Sequence, residues 1–179
     1  TNSRGICASS TGAAAVAVTS VGGTNGIQSA SDGIFARSSA GSVTVDSTGD
    51  ITSSNSYGIF AQNFGSATVA VSSDGAIVSN FAGIHAHSSF GNVTVDASGS
   101  ITATSANSYA RGITARSFGG GTSTVTSDAD ITARLQGIYA TSISGGITVS
   151  NTGDVTSQIS KAISLNGGGA GPPLVTSVG

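Results

Sequence analysis

Short apolar segments in which every second residue is hydrophobic recur along the whole chain. Ile34 and Ala36 are two residues apart in the first piece of one stretch. Val43 and Val45 are two apart in the next piece, and Ile51 follows after another polar turn. Alternation of this kind places one set of side chains on each face of a β-strand. Because Gly, Ser, Thr, Asn and Asp fill the intervals as in turns, the pattern predicts three short strands per unit.

A four-residue phrase, Gly-Ile-x-Ala, marks the start of each unit. Its copies begin at positions 5, 33, 58, 83, 112 and 137, and a degenerate copy begins at 162. The spacings are 28, 25, 25, 29, 25 and 25 residues, and a near-constant period of this length is typical of stacked repeat folds. We expect the phrase glycines to occupy turns with positive φ or positions of close backbone approach, since glycine accepts both cheaply.

These patterns predict an all-β fold, a right-handed single-stranded parallel β-helix, or β-solenoid, with three short strands per coil. Each coil takes about 25 residues, and there are six to seven coils. Helical spacing of apolar residues is missing, three leucines are too few for leucine-rich repeats, and the unit is too short for a propeller blade. The array spans 1–166, and 167–179 is expected to be a Gly/Pro-rich tail or the start of a further segment.

Composition narrows the partners that we expect. Charged residues make up 8% of the chain and the net charge is −2, so no basic stripe is present to bind nucleic acid. No apolar run approaches the roughly 20 residues of a membrane helix, so we expect no membrane insertion of this segment. The glycine runs at 119–121 and 167–169 lack a following Lys-Ser, and no cofactor is expected. Neither end shows a capping segment, so self-association through uncapped ends is a further expectation.

The repeat consists of Gly-Ile-x-Ala-x-Ser, then Val-Thr-Val, then Gly-x-Ile-Thr. It resembles the passenger repeats of bacterial autotransporters, which are type V secreted proteins, over roughly residues 5 to 166. The resemblance implies a passenger segment exported across the outer membrane and displayed on the cell surface or released from it. Passengers of this family serve adhesion, aggregation and sometimes proteolysis. No catalytic motif of the family maps onto this chain.

The variable position of the phrase and the position two residues later form two ladders on the outer face of the first predicted sheet. Aromatic and basic side chains on these ladders make a candidate strip for binding a cell-surface glycan or a protein receptor. The candidate strip comprises Phe35, Arg37, Phe60, Gln62, His85, His87, Arg116 and Tyr139. Such ladders also arise simply because repeats diverge from one ancestor, so the strip has a purely structural explanation as well.

Metal and catalytic sites are not expected. His85 and His87 lie two apart on one predicted strand, but a third ligand is lacking, so we expect solvated histidines. Asp46 and Asp96 occupy one column two coils apart, roughly 9.6 Å by the strand spacing. A catalytic carboxylate would need a basic group or a second carboxylate converging with it in a cleft. No such set assembles in the sequence, and turn formation explains the aspartates better.

The sequence therefore favours a non-enzymatic structural or adhesive segment of an exported bacterial surface protein. Such a segment would act as a rigid spacer and binding surface in an extracellular or cell-surface location. Two alternatives remain open. One is a carbohydrate-active β-helix enzyme, either a polysaccharide lyase or a hydrolase, and the other is a subunit of a self-assembling extracellular filament.

Overall fold

A computed structural model of the chain describes residues 3–23, 26–106, 109–168 and 173–177. These residues form twenty β-strands and no helix, which confirms the predicted all-β fold. The strands are β1 (Ile6–Ser10), β2 (Val16–Ser20), β3 (Ile27–Ser29), β4 (Ile34–Ser38), β5 (Val43–Ser47), β6 (Ile51–Ser53), β7 (Ile59–Asn63), β8 (Val69–Asp74), β9 (Ile77–Ser79), β10 (Ala82–Ser88), β11 (Val93–Ser98), β12 (Ser100–Ala103), β13 (Arg111–Ser117), β14 (Ser123–Ser127), β15 (Asp130–Ala133), β16 (Ile138–Ser142), β17 (Ile147–Asn151), β18 (Val155–Ser157), β19 (Ile163–Gly167) and β20 (Leu174–Ser177).

Strands of successive coils pair side by side in three parallel sheets. Sheet 1 contains β1, β4, β7, β10, β13, β16 and β19. Sheet 2 contains β2, β5, β8, β11, β14, β17 and β20, and sheet 3 contains β3, β6, β9, β12, β15 and β18. A complete coil contributes one strand to each sheet, so about seven coils of three strands stack into a β-solenoid, as the repeat predicts.

The core consists of aliphatic ladders enclosed by the three sheets. Ile34 in sheet 1, Val43 in sheet 2 and Ile51 in sheet 3 are fully buried. The parallel register repeats each column from coil to coil, as where Ile34 lies opposite Ile59. Burial of one such side chain contributes about 1.5–3 kcal/mol, so the ladders are the main source of stability.

Close packing, and not a left-handed backbone, requires the phrase glycines. A Cβ atom on Gly58 would overlap Cγ2 of Ile77 in sheet 3 and would lie 2.6 Å from the carbonyl oxygen of Gly83 in the next coil. Among the described residues, positive φ occurs at Gly26, Gly75 and Gly99. Of the two reasons expected from the sequence, close backbone approach is therefore the one that applies to the phrase.

A column of small polar side chains lines the interior where the sheet 1 strands end. Its buried members are Ser38, Asn63, Ser88, Ser117 and Ser142. The hydroxyl of Ser88 accepts a hydrogen bond from the backbone N–H of Gly91 at 2.9 Å and donates one to the carbonyl oxygen of Ala67 at 3.0 Å. These bonds satisfy buried backbone groups at the corner and connect it to the preceding coil.

The seventh coil continues past residue 166, where the repeat array predicted from the sequence ends. Within 167–179, which the sequence assigns to a tail or to the start of a further segment, Leu174–Ser177 forms β20 and pairs in parallel with β17. Sheet 2 therefore has as many strands as sheet 1.

Candidate ligand-binding surface

The parallel register of sheet 1 brings the residues of the candidate strip together in two adjacent ladders. Phe35, Phe60 and His85 are consecutive in the first ladder, which continues through Thr114 to Tyr139. The second ladder contains Arg37, Gln62, His87 and Arg116. Thr114 is only 1% exposed and interrupts the first ladder, so Tyr139 stands apart from the other rings.

Three rings of the first ladder form a continuous stack along the solenoid axis. The ring centres of Phe35 and Phe60 are 5.2 Å apart with 3° between their planes. Those of Phe60 and His85 are also 5.2 Å apart, with 2° between their planes. Because parallel strands lie roughly 4.8 Å apart, the coil repeat itself sets this stack. The guanidinium carbon of Arg4 lies 3.8 Å from the centre of the Phe35 ring and covers the end of the stack.

Aromatic side chains from the turn before sheet 1 cover part of this stack. The ring centre of Tyr57 lies 5.2 Å from that of Phe60 and 5.1 Å from that of His85. Phe81 packs against Tyr57 at 5.6 Å. His85 is consequently half-buried, and the expectation of a solvated histidine is wrong at this position.

Both histidines are neutral at pH 7. Burial lowers the pKa of His85 to about 3. The positive charges of His87, Arg116 and Arg111 act on it in the same direction. Burial, and after it Arg116, also lowers the pKa of His87. The side-chain amide of Gln62 donates a hydrogen bond to Nδ1 of His87 at 3.0 Å, which places the imidazole proton on Nε2.

Acidification should destabilise the fold through His85. The unfolded chain takes up a proton near pH 6.5, whereas folded His85 stays neutral to about pH 3. The contribution of neutral His85 to the stability of the fold is therefore fully present above pH 6.5 and is lost as the pH falls toward 3. His85→Phe keeps a ring in the stack and removes this titration. Between pH 7 and pH 5 we expect the wild type to lose roughly 2 kcal/mol more unfolding free energy than His85→Phe, measured by urea titration. Equal losses in the two proteins would contradict the argument.

The two histidine rings do not converge on a common point. Their centres are 6.5 Å apart with 77° between the planes. His87 contacts Phe118 edge-on at 4.8 Å. In the described ranges, no group of three or more His, Cys, Asp or Glu side chains could hold a metal ion.

A second set of apolar side chains, which are not part of the strip predicted from the sequence, is exposed in the turn that follows sheet 1. We call it the corner ridge, and it consists of Phe64, Phe90, Phe118 and Ile143, which are 39%, 62%, 37% and 51% exposed. The backbone N–H groups of Phe64, Phe118 and Ile143 each donate to the last residue of the sheet 1 strand one coil earlier. This hydrogen bonding aligns the three positions along the axis. The sequence feature that could have indicated the corner ridge is phenylalanine in turns that are otherwise rich in Ser and Gly.

Two arginines of the candidate strip lie over the corner ridge. The guanidinium carbon of Arg37 is 4.4 Å from the ring centre of Phe64, and that of Arg116 is 4.5 Å from the ring centre of Phe118. Within the part of the chain that the structure describes, the one ion pair joins Arg4 to Asp32 at 3.0 Å. The positive charges of Arg37 and Arg116 therefore have no carboxylate partner among the described residues.

A cavity of about 340 Å³ lies beside Arg37, between the first and second coils. Its lining residues are Arg4, Cys7, Ser9, Ser10, Thr11, Phe35, Arg37 and Ser39. Two arginines, one phenylalanine and four hydroxyl-bearing residues thus line one small space. This combination suits an anionic, hydroxyl-rich ligand.

Charge is separated across the width of the solenoid. Seven of the eight aspartates lie on sheet 2 or at its junction with sheet 3: Asp46, Asp50, Asp74, Asp96, Asp128, Asp130 and Asp154. The basic residues lie on sheet 1 or immediately before its strands on the sheet 3 side: Arg4, Arg37, Arg111, Arg116, Arg134 and Lys161. The eighth aspartate, Asp32, pairs with Arg4. Sheet 1 is thus the positive side.

Asp46 and Asp96 lie on sheet 2, with Ser72 between them in the same column. They border a groove of about 280 Å³ whose other lining residues are Thr44, Val45, Ala70, Val71, Ser72 and Thr94. None of these described lining residues carries a positive charge. The two carboxylates therefore border one groove, and its other lining residues are uncharged.

The fold defines the class of protein, a parallel β-solenoid with three sheets. No protein-family model, curated protein or solved structure matches the chain. Across the described ranges, no helix is long and apolar enough to cross a membrane.

Proposed function

We propose that the chain is a non-enzymatic adhesive segment of an exported bacterial surface protein, acting outside the cell as a rigid spacer and binding surface. The observation that carries this proposal is the concentration of exposed rings and unpaired arginines on the sheet 1 side. Sheets 2 and 3 carry mainly Thr, Ser and Asp on their outer faces. Aromatic residues and Arg are the types enriched at binding surfaces, which makes the sheet 1 side the binding side.

The spacer role is supported by the continuity of the three sheets. Seven coils at roughly 4.8 Å per coil form a rod on the order of 30 Å long. Each coil is hydrogen-bonded to the next along sheets 1 and 2, and the aliphatic ladders run through the core of successive coils. A rod of this kind holds a binding surface at a fixed distance from its point of attachment. Export is supported by the resemblance of the repeats to autotransporter passengers.

Adhesion can be tested with beads coated with the folded chain and applied to cultured epithelial monolayers. We expect these beads to attach more than albumin-coated beads. The double variant Phe64→Ser, Phe118→Ser should reduce attachment by about tenfold, since exposed aromatic anchors carry much of the energy of a binding surface. Val78→Ser is the matched control, because Val78 is 47% exposed on sheet 3 and away from the binding side. Attachment no better than that of albumin beads would refute the proposal.

A carbohydrate-active enzyme is the second candidate, and the shared groove of Asp46 and Asp96 is the observation in its favour. A reducing-end assay over a panel of acidic glycans distinguishes an enzyme that cleaves glycans from a non-enzymatic adhesive segment. We expect no turnover. Turnover that disappears in Asp46→Asn or Asp96→Asn would establish the enzyme and overturn the non-enzymatic proposal.

A further inference from the structure

We propose that the cavity beside Arg37 and the corner ridge together bind an acidic polysaccharide that lies along the solenoid axis. Its carboxylate or sulfate groups contact the guanidinium groups of Arg37 and Arg116. Its pyranose rings pack on the exposed phenylalanines. The inference rests on the proposed adhesive function and names the ligand class for it.

The cavity provides each kind of contact that one acidic sugar needs. Its volume of about 340 Å³ falls at the lower end of small-molecule pockets. Arg37 is exposed and has no carboxylate partner among the described residues. A planar guanidinium binds a carboxylate or a sulfate through two parallel hydrogen bonds. Phe35 forms an apolar wall, and the hydroxyls of Ser9, Thr11 and Ser39 can exchange hydrogen bonds with sugar hydroxyls.

The corner ridge continues the cavity along the axis. Ser39, which lines the cavity, has the same turn position as Phe64 one coil later and Phe118 three coils later. Phe64 and Phe118 therefore stand two coils apart, roughly 9.6 Å. Phe90 belongs to the coil between them, and its ring lies over Gly119, where a Cβ atom would come within 2.6 Å of it. Phe64 and Phe118 thus share one column of the turn, and Phe90 lies one residue further along the turn in the coil between them.

The distribution of charged residues around the corner ridge favours an anionic ligand. Arg37 and Arg116 lie over the rings of Phe64 and Phe118, so positive charge and ring surface occur together at two points. Apart from Asp32, which pairs with Arg4, the aspartates lie on the sheet 2 side. An anion approaching the ridge therefore meets uncompensated cations and little repulsion.

The spacing of the rings favours a sugar chain over a protein partner. The core of a protein interface is close-packed and depleted in charge. Here Gly65, Ser89 and Gly119 separate the rings, and guanidinium groups border them. The electron-rich face of an exposed aromatic ring attracts polarised C–H groups, which a pyranose presents on its face, while sugar hydroxyls stay hydrated.

Isothermal titration calorimetry of the whole chain tests the inference with three probes of one backbone. These are a galacturonic acid decamer, its carboxyl-reduced neutral form, and the sulfated derivative of that neutral form. We expect at least one acidic probe to bind about tenfold more tightly than the neutral probe, because charge-assisted hydrogen bonds contribute that difference. Which acidic probe binds better distinguishes carboxylate from sulfate recognition. Added salt should weaken the binding.

Matched variants connect this binding to the proposed residues. Arg37→Gln should weaken it about tenfold, and Phe64→Ser or Phe118→Ser should each weaken it about fivefold. Lys161→Gln removes the same charge at an exposed position before β19, and Val78→Ser removes an exposed apolar side chain on sheet 3. Both controls should bind as the wild type does. All five positions are exposed, so the variants should retain the circular dichroism spectrum of the wild type.

Any one of five results would overturn the inference. The neutral probe binds as tightly as both acidic probes, or inorganic sulfate alone binds as tightly as the decamer. Arg37→Gln binds as the wild type does. A further such result is that no probe binds while the ridge variants still lose bead attachment. This result would point to a protein receptor and would leave the proposed adhesive function standing. Salt-sensitive self-association that Arg37→Gln abolishes would instead assign the ridge to a second copy of the chain.

Discussion

Gly58→Ala should lower the free energy of unfolding by about 3 kcal/mol, at the upper end of the usual cost of overpacking. The added methyl group would meet the carbonyl oxygen of Gly83 at 2.6 Å and would overlap Cγ2 of Ile77. A flexible side chain could move aside, but the carbonyl belongs to the hydrogen-bonded backbone of the next coil. Relief therefore requires the two coils to separate locally, which weakens both sheet pairing and core contact.

Urea unfolding followed by circular dichroism measures this effect, and Gly146→Ala provides the matched control. Gly146 lies in the turn between β16 and β17, where a Cβ atom would have nothing within 4 Å. Its substitution should change the unfolding free energy by less than about 0.5 kcal/mol. Similar losses at positions 58 and 146 would show that close approach is not what the phrase glycine provides.

Ile84→Ala should cost about 4 kcal/mol of unfolding free energy, within the range for truncation of a buried isoleucine. Ile84 is fully buried in the fourth coil, in register with Ile59 and Ile113 on either side. The strands that hold these neighbours are fixed by their ladders, so the surrounding residues cannot collapse into the cavity. Thermal and urea unfolding measure the loss.

The comparison for this prediction is Val78→Ala, which removes an apolar side chain that is 47% exposed on sheet 3. Its loss should stay below about 1 kcal/mol, because little apolar surface leaves the core. A loss for Ile84→Ala that matches the one for Val78→Ala would refute the view that the buried ladders hold the coils together.

The fold was predictable because two independent periods agree. Alternation within each piece, as at Val43 and Val45, separates inward from outward side chains. The recurrence of the phrase about every 25 residues then aligns equivalent pieces in successive coils. A parallel solenoid satisfies both periods at once, and the observed register follows from it.

The ladders of the candidate strip followed from the same register, but their environment did not. The residue before the phrase glycine changes from Asp32 to Tyr57, Ala82 and Arg111 in successive coils. A column that varies so freely gives no sign that one member folds over the sheet. Tyr57 does so, and the resulting burial of His85 depends on the path of one turn.

The corner ridge could not be predicted from the sequence, for a related reason. Phe64, Phe90 and Phe118 lie in turns, where alternation no longer tells which way a side chain points. Their exposure and their contacts with Arg37 and Arg116 depend on the three-dimensional course of the corner. The sequence shows the aromatic residues, whereas only the structure shows that they are exposed at one corner in successive coils.

The separation of charge across the solenoid gives the rod an electric dipole perpendicular to its long axis. Near a negatively charged surface, a torque would turn sheet 1 toward that surface and the aspartate side toward the solution. At physiological ionic strength the interaction is screened within about 8 Å, so the torque acts only in the last steps of approach. A rod that arrives in any orientation would thus be turned onto its arginine side before contact.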